Sequence, residues 1–473
     1  MTTPGTDGPA PPAAPPDPDT LLRSPQYLRL LAIAAVLGAP ISAVAYWFLV
    51  LSGLLQKWLY QDLPAAWDLA PVPAWWPLPL LGIGGLLVGA TIRYLPGAGG
   101  ESPVDGFKAG GGPPAPLPLV GIALAALAGL ATGAVIGPEA PLIAIGAGLA
   151  AATMRLARRD TPRQTLAVIA ATGSFAAVSA LLGSPLSGAV LLMEAAGLGG
   201  PKLRPILLPG LLASGIGSLV FLGLDSWTGR GTFSLALPDL PAFPRPDLAE
   251  FGWALVIGVV CAALVSGIHR IARTLQRPAE RRIVVAAPLT GLAVAGLAIA
   301  YAEISGNPVS DVLFSGQDQL PGLVTTGAGY SVGALLLLLV CKSLAYAGSL
   351  AAFRGGPTFP AVFLGAVVGI LLTHLPGLSL VPAIAMGIGA ATVAMLRLPL
   401  TSVLVATLVL GSDGLTAMPL VIVAVTVSFV ASVRLAPRPG ELEDAGAADA
   451  TAPVPLPREP AGDAVPRQEP SSP

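Results

Sequence analysis

Gly137-Pro138-Glu139-Ala140-Pro141 sits between two apolar runs, 117–136 and 142–154, and neither run holds a charged residue. A carboxylate embedded in that much hydrocarbon-compatible sequence is costly, so an intramembrane acid reads as a functional group. The two prolines and the glycine beside it break the helix and restart it. A restarted helix presents unpaired backbone N–H groups and the positive end of its dipole. That is a ready-made anion site, with a carboxylate placed to compete for it.

The pattern occurs twice. Gly356-Pro357-Thr358-Phe359-Pro360 repeats G-P-x-x-P at an offset of 219 residues, and a glycine follows each copy five residues past its last proline, Gly146 and Gly365. A second pair follows in the same order: Ser184-Pro185-Leu186-Ser187 matches Leu398-Pro399-Leu400-Thr401 at an offset of 214. With 57 Gly and 50 Pro in the chain, one match carries little weight. Two ordered matches at nearly one offset indicate an internal duplication. Gly/Pro-interrupted apolar segments at corresponding places in two halves point to a transport site at the repeat interface.

Composition sets the class. The chain of 473 residues is 54% hydrophobic and 11% charged, with mean hydropathy +0.77, against about 25% charge in soluble domains. It reads as an all-α polytopic membrane protein. A net charge of −1 excludes a nucleic-acid binder that works by phosphate neutralisation. Cys261 and Cys341 lie in apolar runs and His269 and His374 lie far apart, so no metal cluster is expected. No cofactor is expected either. An intramembrane hydrolase would lack metal ligands, and neither histidine has a serine partner motif, so the chain does not read as an enzyme.

Charge placement orients the spans. Residues 1–24 are Pro-rich and read as a disordered cytoplasmic tail. Arg23 and Arg29 precede the first apolar run, 30–55, which puts the N-terminus inside by the positive-inside tendency. Trp47, Trp58, Tyr60, Trp67, Trp75 and Trp76 cluster near the far end of that run and read as an aromatic belt. The first repeat spans 25–223, a polar linker 224–246, and the second repeat 247–434. Arg270, Arg273, Arg277, Arg281 and Arg282 follow the span at 251–268 and read as a cytoplasmic loop. The first half thus starts from the cytoplasm while the second starts toward it, the parity of an inverted-topology repeat. Residues 435–473 are acidic and Pro-rich and read as a second disordered cytoplasmic tail. The predicted location is the plasma (inner) membrane. Asp311 and Asp413 read as helix caps, and Lys342 as a packed or snorkelling lysine.

These motifs resemble those of the CLC family of chloride channels and proton/chloride exchangers, over roughly residues 29–434. The family's G-[KR]-E-G-P is similar to Gly137-Pro138-Glu139-Ala140-Pro141, and its G-G-x-F-x-P to Gly355-Gly356-Pro357-Thr358-Phe359-Pro360, with Thr358 at the Phe position. Ser184-Pro185-Leu186-Ser187-Gly188 through Glu194 resembles the end of the family's first half. The resemblance implies a homodimer with one pore per subunit, embedded in the bilayer, built of broken and tilted helices and carrying chloride or other small anions. It implies that Glu139 gates the path, that Gly137, Pro138, Ala140, Gly355, Gly356, Thr358 and Phe359 line it, and that Ser102 is a central anion ligand from the loop 96–103. Pro357 has no N–H to donate. The family's C-terminal helix and its tyrosine are missing, since 433–440 holds no Tyr. Where many exchangers place an inner proton-accepting glutamate this chain has Ala195, which leaves Glu194 as the candidate proton-path residue. The expected function is channel-like or loosely proton-coupled anion transport. Strict proton/chloride exchange is the alternative within the family, and a cation-coupled solute transporter the alternative outside it.

Overall fold

The computed structural model describes residues 22–436, apart from 70, 107–112, 159, 180, 183, 198–202, 231–236, 238–242, 244, 327–328 and 412–413. The Asp413 cap and both terminal tails beyond 22–436 lie outside the described residues.

The chain starts with α1 (Pro25–Lys57), where Ser24 accepts from the Tyr27 N–H and Pro25 takes the first helical position, both ordinary start signals. A π-helical turn, Trp58–Asp62, leads into the short α2 (Leu63–Ala66). There follow α3 (Pro77–Tyr94), α4 (Pro116–Thr132), α5 (Glu139–Ala157), α6 (Arg163–Ala177), α7 (Pro185–Ala195) and α8 (Leu203–Thr228). The second half holds α9 (Leu248–Arg281), α10 (Ile283–Ser305), a 3-10 turn at Val309–Asp311, α11 (Leu320–Thr326), α12 (Val332–Ala352), α13 (Thr358–Leu372), α14 (Leu380–Leu396), α15 (Pro399–Val409) and α16 (Gly414–Leu435). Eight helices among the described residues are long and apolar enough to cross a bilayer. The shorter ones, among them α4, α7, α13, α14 and α15, are the broken elements.

The two halves pack alike. α1 lies on α8 as α9 lies on α16, and α5 lies on α6 as α13 lies on α14. Glycines permit the closest of these approaches. A Cβ at Gly146 would strike the Gly173 carbonyl and one at Gly173 would strike the Gly146 carbonyl; Gly365 and Gly387 face each other in the same way. The offsets are again 219 and 214. α3 and α10 cross between the halves, with Gly89 against the Ile283 carbonyl and Gly291 against Leu81. The fold is therefore all-α with two inverted-topology repeats, as the motif spacing predicts.

Several local expectations change. α8 continues past 222 to Thr228, whose Oγ1 lies 2.5 Å from the Tyr46 hydroxyl, so the linker starts later than 224. Its buried residues Leu237 and Phe243 sit in the core, and Leu237 N–H bonds the Val409 carbonyl at 2.8 Å. The basic stretch after 268 is helical: α9 runs to Arg281 from a capping box of Asp247 and Glu250. Trp58, Trp67 and Trp75 are exposed as a belt requires, but Trp76 is buried and its Nε1 donates to the Leu59 carbonyl at 2.9 Å. Tyr60 also faces inward, donating to the Thr132 carbonyl at 2.7 Å. Asp311 caps no helix. Its carboxylate accepts from the hydroxyls of Tyr301 (3.1 Å) and Tyr330 (3.0 Å).

Candidate functional site

The site lies where the two G-P motifs meet. α4 ends at Gly133, which is left-handed (φ +102°) and ends the helix as glycine commonly does. The next residues turn tightly, with the Ile136 N–H on the Ala134 carbonyl at 3.0 Å. Val135 N–H donates to Ser349 Oγ of α12 at 3.1 Å, and Ile136 is buried against Gly355 and Gly129. Gly137 and Gly356 then form a reciprocal antiparallel pair, Gly137 N–H to Gly356 O at 2.7 Å and Gly356 N–H to Gly137 O at 2.6 Å. One residue further, Pro138 and Pro357 occupy the N-cap positions of α5 and α13. Neither proline has a side chain that can cap, so the first N–H groups of both helices are left for another acceptor.

Glu139 is that acceptor, and it serves the opposite helix. It is the first residue of α5 and is 1% exposed, and its Oε1 accepts from the Phe359 N–H of α13 at 3.0 Å. Its counterpart at the first position of α13 is Thr358, fully buried. Glu139 Oε2 and Thr358 Oγ1 are both buried with no hydrogen bond of standard geometry, though the Thr358 hydroxyl lies within reach of the carboxylate. Gly137 and Gly356 are glycine for a steric reason: a Cβ on either would overlap the Glu139 carboxylate. Ile136 and Phe359 beside it are buried. A carboxylate, two helix N-termini and a threonine hydroxyl thus meet, buried, at the repeat interface.

Of the residues singled out from sequence, Gly137, Pro138, Glu139, Gly356, Thr358 and Phe359 meet here. Ala140 continues α5 and Gly355 leads into the paired strand. Ser102 is engaged elsewhere: its Oγ accepts from Gln276 Nε2 of α9 at 3.2 Å. The loop that carries it reaches the site's edge through Gly99, whose Cβ position would lie 3.3 Å from Cγ of the buried Arg354. Glu194 stands at the end of α7 and caps α15. Leu400 N–H donates to Oε1 (3.0 Å), while the Thr401 N–H (2.9 Å) and hydroxyl (2.8 Å) donate to Oε2.

One residue of the site escaped the sequence reading. Tyr346 of α12 is fully buried and its hydroxyl donates to the Pro357 carbonyl at 2.5 Å. It fixes the turn into α13. Nothing in an apolar run distinguishes such a tyrosine, since its partner lies beyond the end of its own helix. Among the described residues no cluster of three His, Cys, Asp or Glu side chains could hold a metal ion.

Paired broken helices whose N-termini converge on a buried carboxylate define a membrane transport fold, and similarity to known proteins names it. The family model for the voltage gated chloride channel matches residues 84–432, well over half the chain, and this chain belongs to that family. The ion-transport protein YfeO of Salmonella paratyphi A is 29% identical over 361 residues, covering 74% of this chain and 82% of that one. A slow cyanobacterial Cl−/H+ antiporter superposes with a TM-score of 0.69 at 18% identity, over 90% of this chain and 99% of the other. A CLC-type fluoride/proton antiporter gives 0.66 at 18% identity, over 86% and 96%. At those identities the structural likeness bears on the fold.

Proposed function

We propose that this chain carries chloride, or another small anion, across the bilayer through a path closed by the Glu139 carboxylate. The observation that carries the reading is the bond from the Phe359 N–H to Glu139 Oε1 across the repeat interface. A carboxyl group already occupies the N-terminus of α13, the place where helix geometry favours an anion. Protonation of Glu139 removes the charge that holds it there. The side chain then leaves, and a mobile anion takes its place on the Phe359 N–H and the Thr358 hydroxyl. In this buried site these donors act on the anion with little competition from water.

Purified protein in liposomes should pass chloride and not potassium, because the path is built from helix N-termini and not from a ring of carboxylates. Potassium flux above chloride flux would favour the cation-coupled transporter and sink the anion reading. Glu139→Gln should remove most of the dependence of flux on external pH at nearly constant side-chain volume. Fluoride and nitrate measured beside chloride give the preference.

Channel-like or loosely coupled conduction is favoured over strict exchange. Ala195 carries no proton, and the neighbouring Glu194 is engaged by three donors at the start of α15. Strict exchange stays as a second reading because both solved structures named above are antiporters. A chloride gradient with a pH electrode decides between them: uphill proton movement at fixed stoichiometry, abolished by Glu139→Ala, establishes an exchanger. Family resemblance supports pairing into a homodimer in the membrane.

A further inference from the structure

Lys342 has no part in the reading above, yet it is a fully buried lysine in the middle of α12. Its Nζ donates to the carbonyls of four consecutive residues: Asp311 at 2.9 Å, Val312 at 3.2 Å, Leu313 at 3.0 Å and Phe314 at 3.4 Å. The Phe363 ring of α13 covers it with its centroid at 4.3 Å, a cation–π contact in a desolvated setting. The 3-10 turn at Val309–Asp311 carries the first carbonyls round, and the left-handed Phe314 (φ +59°) turns its own toward them, a conformation a bulky side chain adopts only when its surroundings enforce it. The Asp311 carboxylate is held by Tyr301 and Tyr330. Neutral carbonyls gathered around one charge is how proteins coordinate a dehydrated monovalent cation; here the cation is tethered to the chain.

The gathered turn touches the gate segment. Phe314 N–H donates to the Gly133 carbonyl at 3.1 Å. The Phe314 ring packs edge-on against Tyr60, centroids 5.0 Å apart, and Tyr60 bonds the Thr132 carbonyl. Thr132 ends α4 and Gly133 is its C-cap, and the connecting segment 134–138 leads from them to Glu139 at the start of α5. Their carbonyls belong to a helix C-terminus and have no partner within the helix, so these two bonds decide where that segment begins.

We propose that Lys342 is a tethered cation that gathers the 311–314 turn and, through Phe314 on Gly133, fixes the position from which Glu139 closes the path. It is a positioning residue. The inference rests on Glu139 being the gate.

The test is a double-mutant cycle on chloride flux in liposomes, normalised to folded protein. Lys342→Met keeps the length and the contact with Phe363 and removes the charge. In the wild-type background it should raise basal flux by about fivefold or more toward the rate of Glu139→Gln, whereas in the Glu139→Gln background it should change flux by less than about twofold. Lys342→Ala should leak in the same way and be closed again by n-propylammonium, which supplies the missing three carbons and charge, but not by n-propanol. An equal change in both backgrounds, no change in either, or equal rescue by the alcohol would overturn the proposal. Tyr60→Phe tests the same line from its other end and removes a single bond. It should raise flux with the same dependence on Glu139, and no change there overturns the proposal whether or not Lys342→Met folds. If Glu139→Gln by itself leaves flux and its pH response as in wild type, the gate reading falls; if it opens the path and Lys342→Met adds to it, only the Lys342 inference falls.

Discussion

Glu194→Ala separates a structural carboxylate from a proton relay. In the structure Glu194 takes three hydrogen bonds at the first turn of α15, two from backbone N–H groups and one from the Thr401 hydroxyl. Pro399 fills the first helical position and Leu398 offers no cap of its own. Removing the carboxylate therefore strips α15 of its N-cap, worth about 0.5–2 kcal/mol. It also strips the favourable charge at the positive end of the helix dipole, about 0.3–1 kcal/mol. The site is only partly buried and water can replace some of the bonds, so a net loss of about 2 kcal/mol is expected.

For a chain of this length that corresponds to a fall of about 2 °C in the melting midpoint. A fluorescence melt in detergent reads the fall, and paired chloride and pH electrodes on liposomes read the transport. Chloride flux per folded protein should stay near wild type, and so should any proton movement. Glu194→Gln keeps one acceptor and should lose less stability than alanine. An unchanged melt together with abolished proton movement would mean that the carboxylate works as a relay and that its place on α15 is incidental.

Thr358→Val should weaken chloride binding, seen as a higher half-saturating concentration. It should move the melting midpoint little, because the hydroxyl it removes makes no hydrogen bond of standard geometry. Gly356→Ala places a methyl on the Glu139 carboxylate; the gate should fail to seat, so chloride should leak at alkaline external pH where the wild type is closed. Ser349→Ala removes the acceptor of the buried Val135 N–H and should cost about 1–3 kcal/mol, read as a lower melting midpoint.

The duplication was legible because it is written in residues that the backbone cannot do without. Gly137, Pro138, Gly356 and Pro357 recur at one offset because each pair meets the same demand, a close strand contact followed by a helix that starts without a cap. Glu139 was legible because charge in an apolar run is costly. What stayed hidden depends on contacts between distant residues. The cap on α15 comes from Glu194, some 200 residues upstream, so no local signal at Leu398 announces it. Tyr60 and Trp76 read as belt residues because an aromatic near a span end carries no mark of which way it faces. The arginines after 268 read as a loop because basic residues on the last turns of a helix give the same composition as basic residues beyond it. Asp311 looked like a cap from its neighbours, while its partners Tyr301 and Tyr330 lie on either side of the turn.

Two similar halves would give a symmetric site, and the chemistry depends on where symmetry stops. At Gly137 and Gly356 the halves bond each other as equals. One step on, the prolines still match. At the next matched pair, position 139 is Glu and position 358 is Thr. Two glutamates here would bring like charges together in a buried site, where each disfavours the ionised form of the other. Two threonines would leave both helix N-termini without an acceptor of the chain's own. One of each gives a single charge that can occupy the shared site and a neutral donor that remains when the charge leaves. The same asymmetry reaches outward: α12 carries Lys342 and Tyr346, while the matching positions in α4 are Ala123 and Leu127. Under the proposed function, the contacts that position Glu139 come mainly from the second repeat, with Tyr60 added from the first, while the carboxylate itself belongs to the first repeat.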